Sequence, residues 1–311
     1  MVFKTVSPRD KIGEILCEYG EDKRIYVLDS DLAKSTTSVK FGEKYPERFV
    51  ECGISEQSAM SIATGLAIEG KIPFYVNFAI LATGTAWTQL RQACYSNANI
   101  KIIGTHPGMD DGPDGASHHA NEDIALTRAI PNLKVLIPSS IEELRDAIEL
   151  AIKHEGPVYI RAARDVVPVL DITHDKVEFG KAEIVKDDGN DLALIYEGTA
   201  AFCAMEAYEE LKKEGYACKM INISSIKPID TDMIEMLVNN VKGIVTVENH
   251  SIIGGLGGAV AEVLSEYSRH PKLRRVGVED VFTESGKISD VKKKYGLNTE
   301  NIIKKCKESL E

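Results

Sequence analysis

The sequence predicts an α/β protein made of two open, mostly parallel sheet domains with helices on both faces. Three observations carry that expectation. Short β-rich runs alternate with helical patterns through almost all of the 311 residues. The texture turns polar over residues 171–190, and beyond them the alternation starts again. A chain of this length accommodates two ordinary cores, expected over residues 1–175 and 191–311 with a linker at 176–190.

In the first half the strand-like runs are Arg24–Leu28, Ile72–Phe78, Ile100–Gly104, Leu133–Ile137 and Pro157–Arg161. A helix rich in small residues runs from Gln57 to Glu69, and its apolar flanks predict a buried position. A second helix starts at Ser140, where Ser140 and Glu143 have capping-box spacing and Ile141, Leu144, Ile148 and Ala151 form an apolar stripe. The segment DITHDKVEFGKAEIVKDDGND then ends in Asp-Asp-Gly-Asn, which reads as a turn and not as an element. Strand LALIYEG, helix Ala201–Glu214, strand Cys218–Ile223, helix Asp232–Val238, strand Gly243–Val247 and the helix GGLGGAVAEVLSEY follow.

Composition narrows the function classes. A 43% hydrophobic and 27% charged chain is of the soluble globular kind, and no apolar run nears the roughly 20 residues of a membrane span. The N-terminal text has no apolar signal core, so a cytoplasmic location is expected. A net charge of -11 disfavours a nucleic-acid or anionic-membrane surface, so an anionic substrate needs a local positive site. Six cysteines scattered singly argue against zinc or a disulfide framework.

Several residues could carry chemistry. Glu56, at a helix start, is either a dipole-compensating residue or a carboxylate with a specific partner and a proton to exchange. The loop over residues 104–123 follows a strand and gathers His106, Asp114, His118 and His119 among glycines and prolines. Such a loop at the carboxyl end of a strand reads as a ligand site; a metal site using His118 and His119 and a solvated polar loop are the alternatives. Arg161 and Arg164, after another strand, suit either phosphate recognition or an inter-domain salt bridge. The glycines at 254, 255, 257 and 258 lack a clean G-x-G-x-x-G and read better as close packing than as nucleotide binding.

The motifs VLDSDLAKST, ERFVECGISEQ, GPDGASHH, EDIALTRAIPNLKVLIPSS and VENHSIIGGLGGAVAE together resemble the transketolase family, nearly end to end over two of its three domains. The resemblance implies a thiamine-diphosphate pyrimidine-binding domain followed by the family's C-terminal domain. By it, Glu56 matches the glutamate that hydrogen-bonds N1′ of the cofactor's aminopyrimidine and favours the tautomer that deprotonates the thiazolium carbon. Phe78 matches an aromatic against the pyrimidine ring, and Leu81 makes aliphatic a wall where many relatives carry a second aromatic. His106, Asp114 and His118 match residues lining the sugar-phosphate channel, the histidines assisting proton transfer. Arg9, Ser35 and Arg164 match the groups that hold the terminal phosphate, while His119 stands where relatives often have glutamine.

No G-D-G occurs, the motif with which the family's diphosphate-binding domain ligates magnesium. The resemblance therefore implies a separate N-terminal subunit supplying Mg2+ and the diphosphate contacts, in an α2β2 heterotetramer acting on sugar phosphates. A deoxyxylulose-phosphate synthase, the β subunit of a 2-oxo-acid dehydrogenase and a non-catalytic regulatory partner share parts of this pattern and stay open at this point.

Overall fold

The computed structural model describes residues 5–168 and 176–311; the expected end of the first domain, at 175, lies outside the described residues. Beside a short antiparallel pair, Thr5–Val6 with Val167–Pro168, which forms a sheet of its own, six strands of the first half enter the main sheets: β1 (Ile25–Asp29), β2 (Phe49–Glu51), β3 (Ile72–Phe78), β4 (Lys101–Thr105), β5 (Lys134–Leu136) and β6 (Val158–Ala162). Six follow: β7 (Glu183–Asp187), β8 (Leu192–Tyr196), β9 (Cys218–Asn222), β10 (Ser225–Lys227), β11 (Gly243–Ser251) and β12 (Lys272–Val278). They assemble into a seven-stranded sheet of order β10-β5-β6-β4-β3-β1-β2 and a five-stranded sheet of order β12-β11-β8-β9-β7. Within each sheet one edge pairing is antiparallel, β10 with β5 and β7 with β9; the others are parallel.

Parallel strands buried on both faces read as continuous apolar runs, and β3 is buried along its whole length. Its side chains alternate between faces. Phe74 and Val76 join a cluster with Leu144, Ala147 and Ile148 of the helix Ile141–Lys153, whereas Tyr75 joins Ala59, Met60 and Ala63 of the helix Glu56–Ile68. The first of these helices is capped as its sequence suggests: Ser140 Oγ accepts the Glu143 N–H at 3.0 Å. The return bond differs. Glu143 accepts the N–H of Ser139 at 2.6 Å, and its other oxygen accepts from the Asn222 amide at the end of β9.

That contact is one of several stitches between the halves. Ser225–Lys227 adds an edge strand to the first sheet, and one apolar cluster runs from Ile137 and Tyr159 through to Ile221, Ile223 and Ile226. The stretch 183–187, expected as part of a linker, is a strand. None of its side chains is fully buried, as befits an edge, so it lacks the apolar run that marks the interior strands. Strand β12 and the helices Ile288–Lys294 and Thr299–Leu310 complete the second domain beyond the last element read from sequence.

Candidate active site

From β1 the chain steps to β2 on one side and to β3 on the other, which makes a crevice at the carboxyl ends of β1 and β3. The expected site residues gather along this edge. Ser35 lies exposed in the turn Ala33–Thr36 after β1, and Glu56 opens its helix after β2. Phe78 is the last residue of β3, and Leu81 begins one π-helical turn just beyond. His106 follows β4, and Arg164 follows β6. Arg9 is brought to the same end by its N–H, which donates to the Ala163 carbonyl at 2.9 Å.

The loop that presents Ser35 is folded around a buried carboxylate. Asp29 accepts from the Leu32 N–H and from the Thr36 and Ser38 hydroxyls at 2.7, 2.8 and 2.9 Å. Burial outweighs these donors and pushes the Asp29 carboxyl up to about 6.

Phe78, His106 and His118 form one contact group. The Phe78 and His106 rings stack at 3.9 Å between centroids, and His118 meets the edge of Phe78 at 6.2 Å. His106 takes φ +57°, a left-handed conformation that costs a non-glycine residue about 1 kcal/mol or more. Its Nδ1 is tied to the Thr105 hydroxyl at 2.8 Å, which leaves Nε2 for a ligand. Burial, then the positive fields of Arg164 and Arg9, push His106 down to about 3. It is therefore a neutral imidazole at any physiological pH.

Arg164 is held by Asp111, whose Oδ1 and main-chain carbonyl both accept from Nη1. Burial and the nearby Asp114 carboxylate push Asp111 up to about 7 against the pull of Arg164. Asp114 itself is exposed, on a 3-10 turn whose amide donates to the Asp111 carbonyl at 3.1 Å. Sequence reasoning singled out Asp114 and passed over Asp111, whose partner is 53 residues away.

Glu56 is half-exposed, and among the described residues no hydrogen bond or ion pair reaches its carboxylate. Its helix is not wholly buried as expected. Ala59, Met60, Ala63 and Ala67 face the core, while Ser58, Ser61, Ile62 and Gly65 form an open face at helical spacing. Ile54 (81% exposed) and Ile68 (70%) flank it. Exposed isoleucines along an open helix face that starts at an unpartnered carboxylate mark a surface built to be covered.

Three features resolve away from substrate chemistry. Arg161 is an inter-domain tie, with Nε and Nη2 on Asp123 at 2.8 and 3.1 Å and Nη1 on Glu197 at 3.3 Å. His119 turns from His118 and meets the Thr283 hydroxyl at 2.6 Å, beside a cavity of about 210 Å³ shared with Asn121 and Phe282. The two adjacent histidines thus serve different neighbours, and among the described residues no group of three or more potential ligands could hold a metal ion. At the glycine-rich helix start, Glu248 accepts the N–H groups of Leu256 and Gly257 at 2.6 and 3.0 Å, so the place a phosphate would take is filled. A Cβ on Gly255 would lie 1.9 Å from that carboxylate, which accounts for the glycine by packing.

Comparison with known proteins agrees with the two-domain architecture. Residues 4–169 match the transketolase pyrimidine binding domain and residues 180–302 the transketolase C-terminal domain. A transketolase C-terminal section of Methanocaldococcus jannaschii is 41% identical, over 97% of this chain and 96% of its own length. A 6-deoxy-6-sulfo-D-fructose transketolase subunit of a Clostridium species is 35% identical over 97% and 94%. A solved structure described as a split gene transketolase, inactive beta4 tetramer, superposes with a TM-score of 0.88 at 39% identity and covers 98% of both chains. The chain belongs to the transketolase family, as a C-terminal subunit of the split kind that carries the pyrimidine-binding and C-terminal domains.

Proposed function

We propose that this chain, paired with a separate N-terminal subunit, transfers a two-carbon ketol unit from a ketose phosphate to an aldose phosphate using thiamine diphosphate. The observation that carries the reading is Glu56: a carboxylate at an open helix start, without a partner of its own, at the same sheet edge as the half-exposed Leu81 and the Phe78–His106–His118 group. These residues fit an aminopyrimidine, which needs a carboxylate for its ring nitrogen and an apolar wall for its face. Glu56 and Leu81 would hold that ring, with Phe78 backing the wall through His106. Thiamine diphosphate, when bound, supplies the nucleophilic carbon that the protein's own side chains lack.

The rest of the edge suits a sugar phosphate. Neutral His106 presents Nε2 as a hydrogen-bond acceptor to a substrate hydroxyl without carrying a standing charge. His118, whose Nδ1 is engaged by the Ser117 hydroxyl at 3.0 Å, offers the second such nitrogen. Asp114 would read a hydroxyl on donor or acceptor, and Arg9, Ser35 and Arg164 the terminal phosphate. The uncovered face of the Glu56 helix supports an N-terminal subunit as the missing wall, bringing Mg2+ and the diphosphate contacts in an α2β2 assembly.

The test is a ketol-transfer assay with xylulose 5-phosphate and ribose 5-phosphate, thiamine diphosphate and magnesium. It is run on this chain alone and mixed with a candidate N-terminal subunit. Activity in the mixture only is the expected result. A mixture that forms a complex and transfers nothing overturns the reaction assigned, and pyruvate with glyceraldehyde 3-phosphate are then the substrates to try.

A further inference from the structure

Both arginines assigned to the terminal anion already carry a carboxylate. Arg9 holds Asp10 through Nε and Nη2 at 3.0 and 2.7 Å, a pair open to water. Arg164 holds Asp111 through Nη1 alone, and among the described residues no acceptor takes its Nε or Nη2. One edge of the guanidinium is thus fixed and the other is left for a ligand.

The carboxylates differ in how strongly they act. Asp10 and Asp114 are exposed and screened by solvent. Asp111 is 1% exposed, and its Oδ2 is buried without a hydrogen-bond partner. Its field therefore reaches a ligand on Arg164 with little attenuation. His106, being neutral, adds no positive charge to offset it.

We propose that Asp111 sets the charge of the terminal group this subsite accepts, holding Arg164 in place while disfavouring a doubly charged end group relative to a singly charged one. The inference rests on the reading of Arg164 as the terminal-anion ligand. The Arg164–Asp111 pair presents a dipole where a lone arginine would present a full positive charge. A second negative charge on the ligand then gains little further attraction and meets the repulsion of Asp111 twice over. Burial first, and then the neighbouring Asp114 carboxylate, push the Asp111 carboxyl up to about 7, so it is mostly ionised at pH 8.

The experiment measures binding of ribose 5-phosphate and ribose 5-sulfate to the full chain by calorimetry at pH 8, where the phosphate is a dianion and the sulfate ester a monoanion. Wild type is compared with Asp111→Asn, which keeps an oxygen acceptor for Arg164 and removes only the charge. Because repulsion scales with ligand charge, the variant should bind the phosphate about tenfold and the sulfate about threefold more tightly. Asp10→Asn, at the exposed and solvent-screened partner of Arg9, should change either by less than about twofold. Equal factors for the two esters, no tightening of the phosphate, or no binding of either ester to wild type and variant overturns the inference. If Asp111→Asn loses its native circular dichroism, Asp111→Ser is held to the same pair of factors. Binding is read without thiamine diphosphate or a second subunit. The expected factors in a chain that transfers no ketol unit with any N-terminal subunit would refute the proposed reaction and leave the role of Asp111 standing.

Discussion

Arg161 and Arg164 stand three residues apart in the text YIRAARD, the first inside β6 and the second just beyond it, and the fold uses them in opposite ways. Arg161 is 2% exposed and nearly every donor is spent: two on Asp123, one on Glu197 and one, at 2.8 Å, on the Asn249 carbonyl. The Tyr159 hydroxyl adds a bond to Asp123 at 2.7 Å, and Glu197 accepts the Asn249 N–H at 2.7 Å. Arg164 is more exposed and engages Asp111 by a single nitrogen. A closed network of buried charges is a structural device, since every group in it depends on the others. A half-used guanidinium at a crevice is available for a ligand. The difference teaches that satisfaction of donors, more than residue type or sequence position, separates a tie from a site.

The sharpest way to break this comparison is to remove each arginine in turn. Arg161→Met leaves Asp123 and Glu197 buried with their cation gone, and should cost about 3–5 kcal/mol in urea denaturation. Arg164→Met should cost less, about 1–2 kcal/mol, because Arg164 itself is partly exposed and Asp111, pushed up to about 7, can take a proton in its absence. Equal losses at the two positions would erase the distinction.

Sequence reading left the two arginines unresolved for a physical reason: the partners that decide between them, Asp123, Glu197 and Asp111, lie 36 to 53 residues away. The alternation of apolar runs located the interior strands because burial on both faces leaves a local signature, and β3 coincides with the expected Ile72–Phe78. It missed β7, whose charged edge residues carry no such signature, and β10, whose place is set by pairing with β5 in the other half. At the edge of the first sheet, the convergence of Phe78, His106 and His118 was legible only through family resemblance, since ring stacking at 3.9 Å depends on a positive φ at His106 that no local pattern announces. The open face of the Glu56 helix was misread as buried because small apolar residues serve equally for a core and for a surface that a partner covers.

Two substitutions sharpen the comparison from the side of the site, both read in the mixture of this chain with its N-terminal subunit. Glu56→Gln is nearly isosteric at a half-exposed position, so denaturation should be unchanged while kcat falls by about a hundredfold or more. Near wild-type turnover would sink the role of Glu56. Arg164→Ala should act mainly on binding and raise KM for phosphorylated substrates about tenfold with a smaller change in kcat. A KM that stays put would remove Arg164 from the terminal-anion subsite and, with it, the contrast to Arg161.

The smallest expected effect concerns His106, the neutral member of the site. Its pKa is lowered in the folded chain, to about 3, below the roughly 6.5 of an unfolded histidine. Between these values the unfolded chain binds a proton that the folded chain does not, so the contribution of His106 to stability is fully present above about pH 6.5 and is lost as the pH falls below it. From pH 7 to 5.5 the loss should come to about 1 kcal/mol for one such group. His250, buried in the Arg161 network and pushed down to about 4 chiefly by burial, contributes a second loss of the same sign. His106→Asn should therefore lose about 1 kcal/mol less than wild type over that interval in urea denaturation, while keeping the part due to His250. An unchanged acid limb in the variant would mean that His106 takes a proton as readily in the folded chain as in the unfolded one, which would make it a charged donor toward substrate in mildly acid solution in place of the neutral acceptor described above.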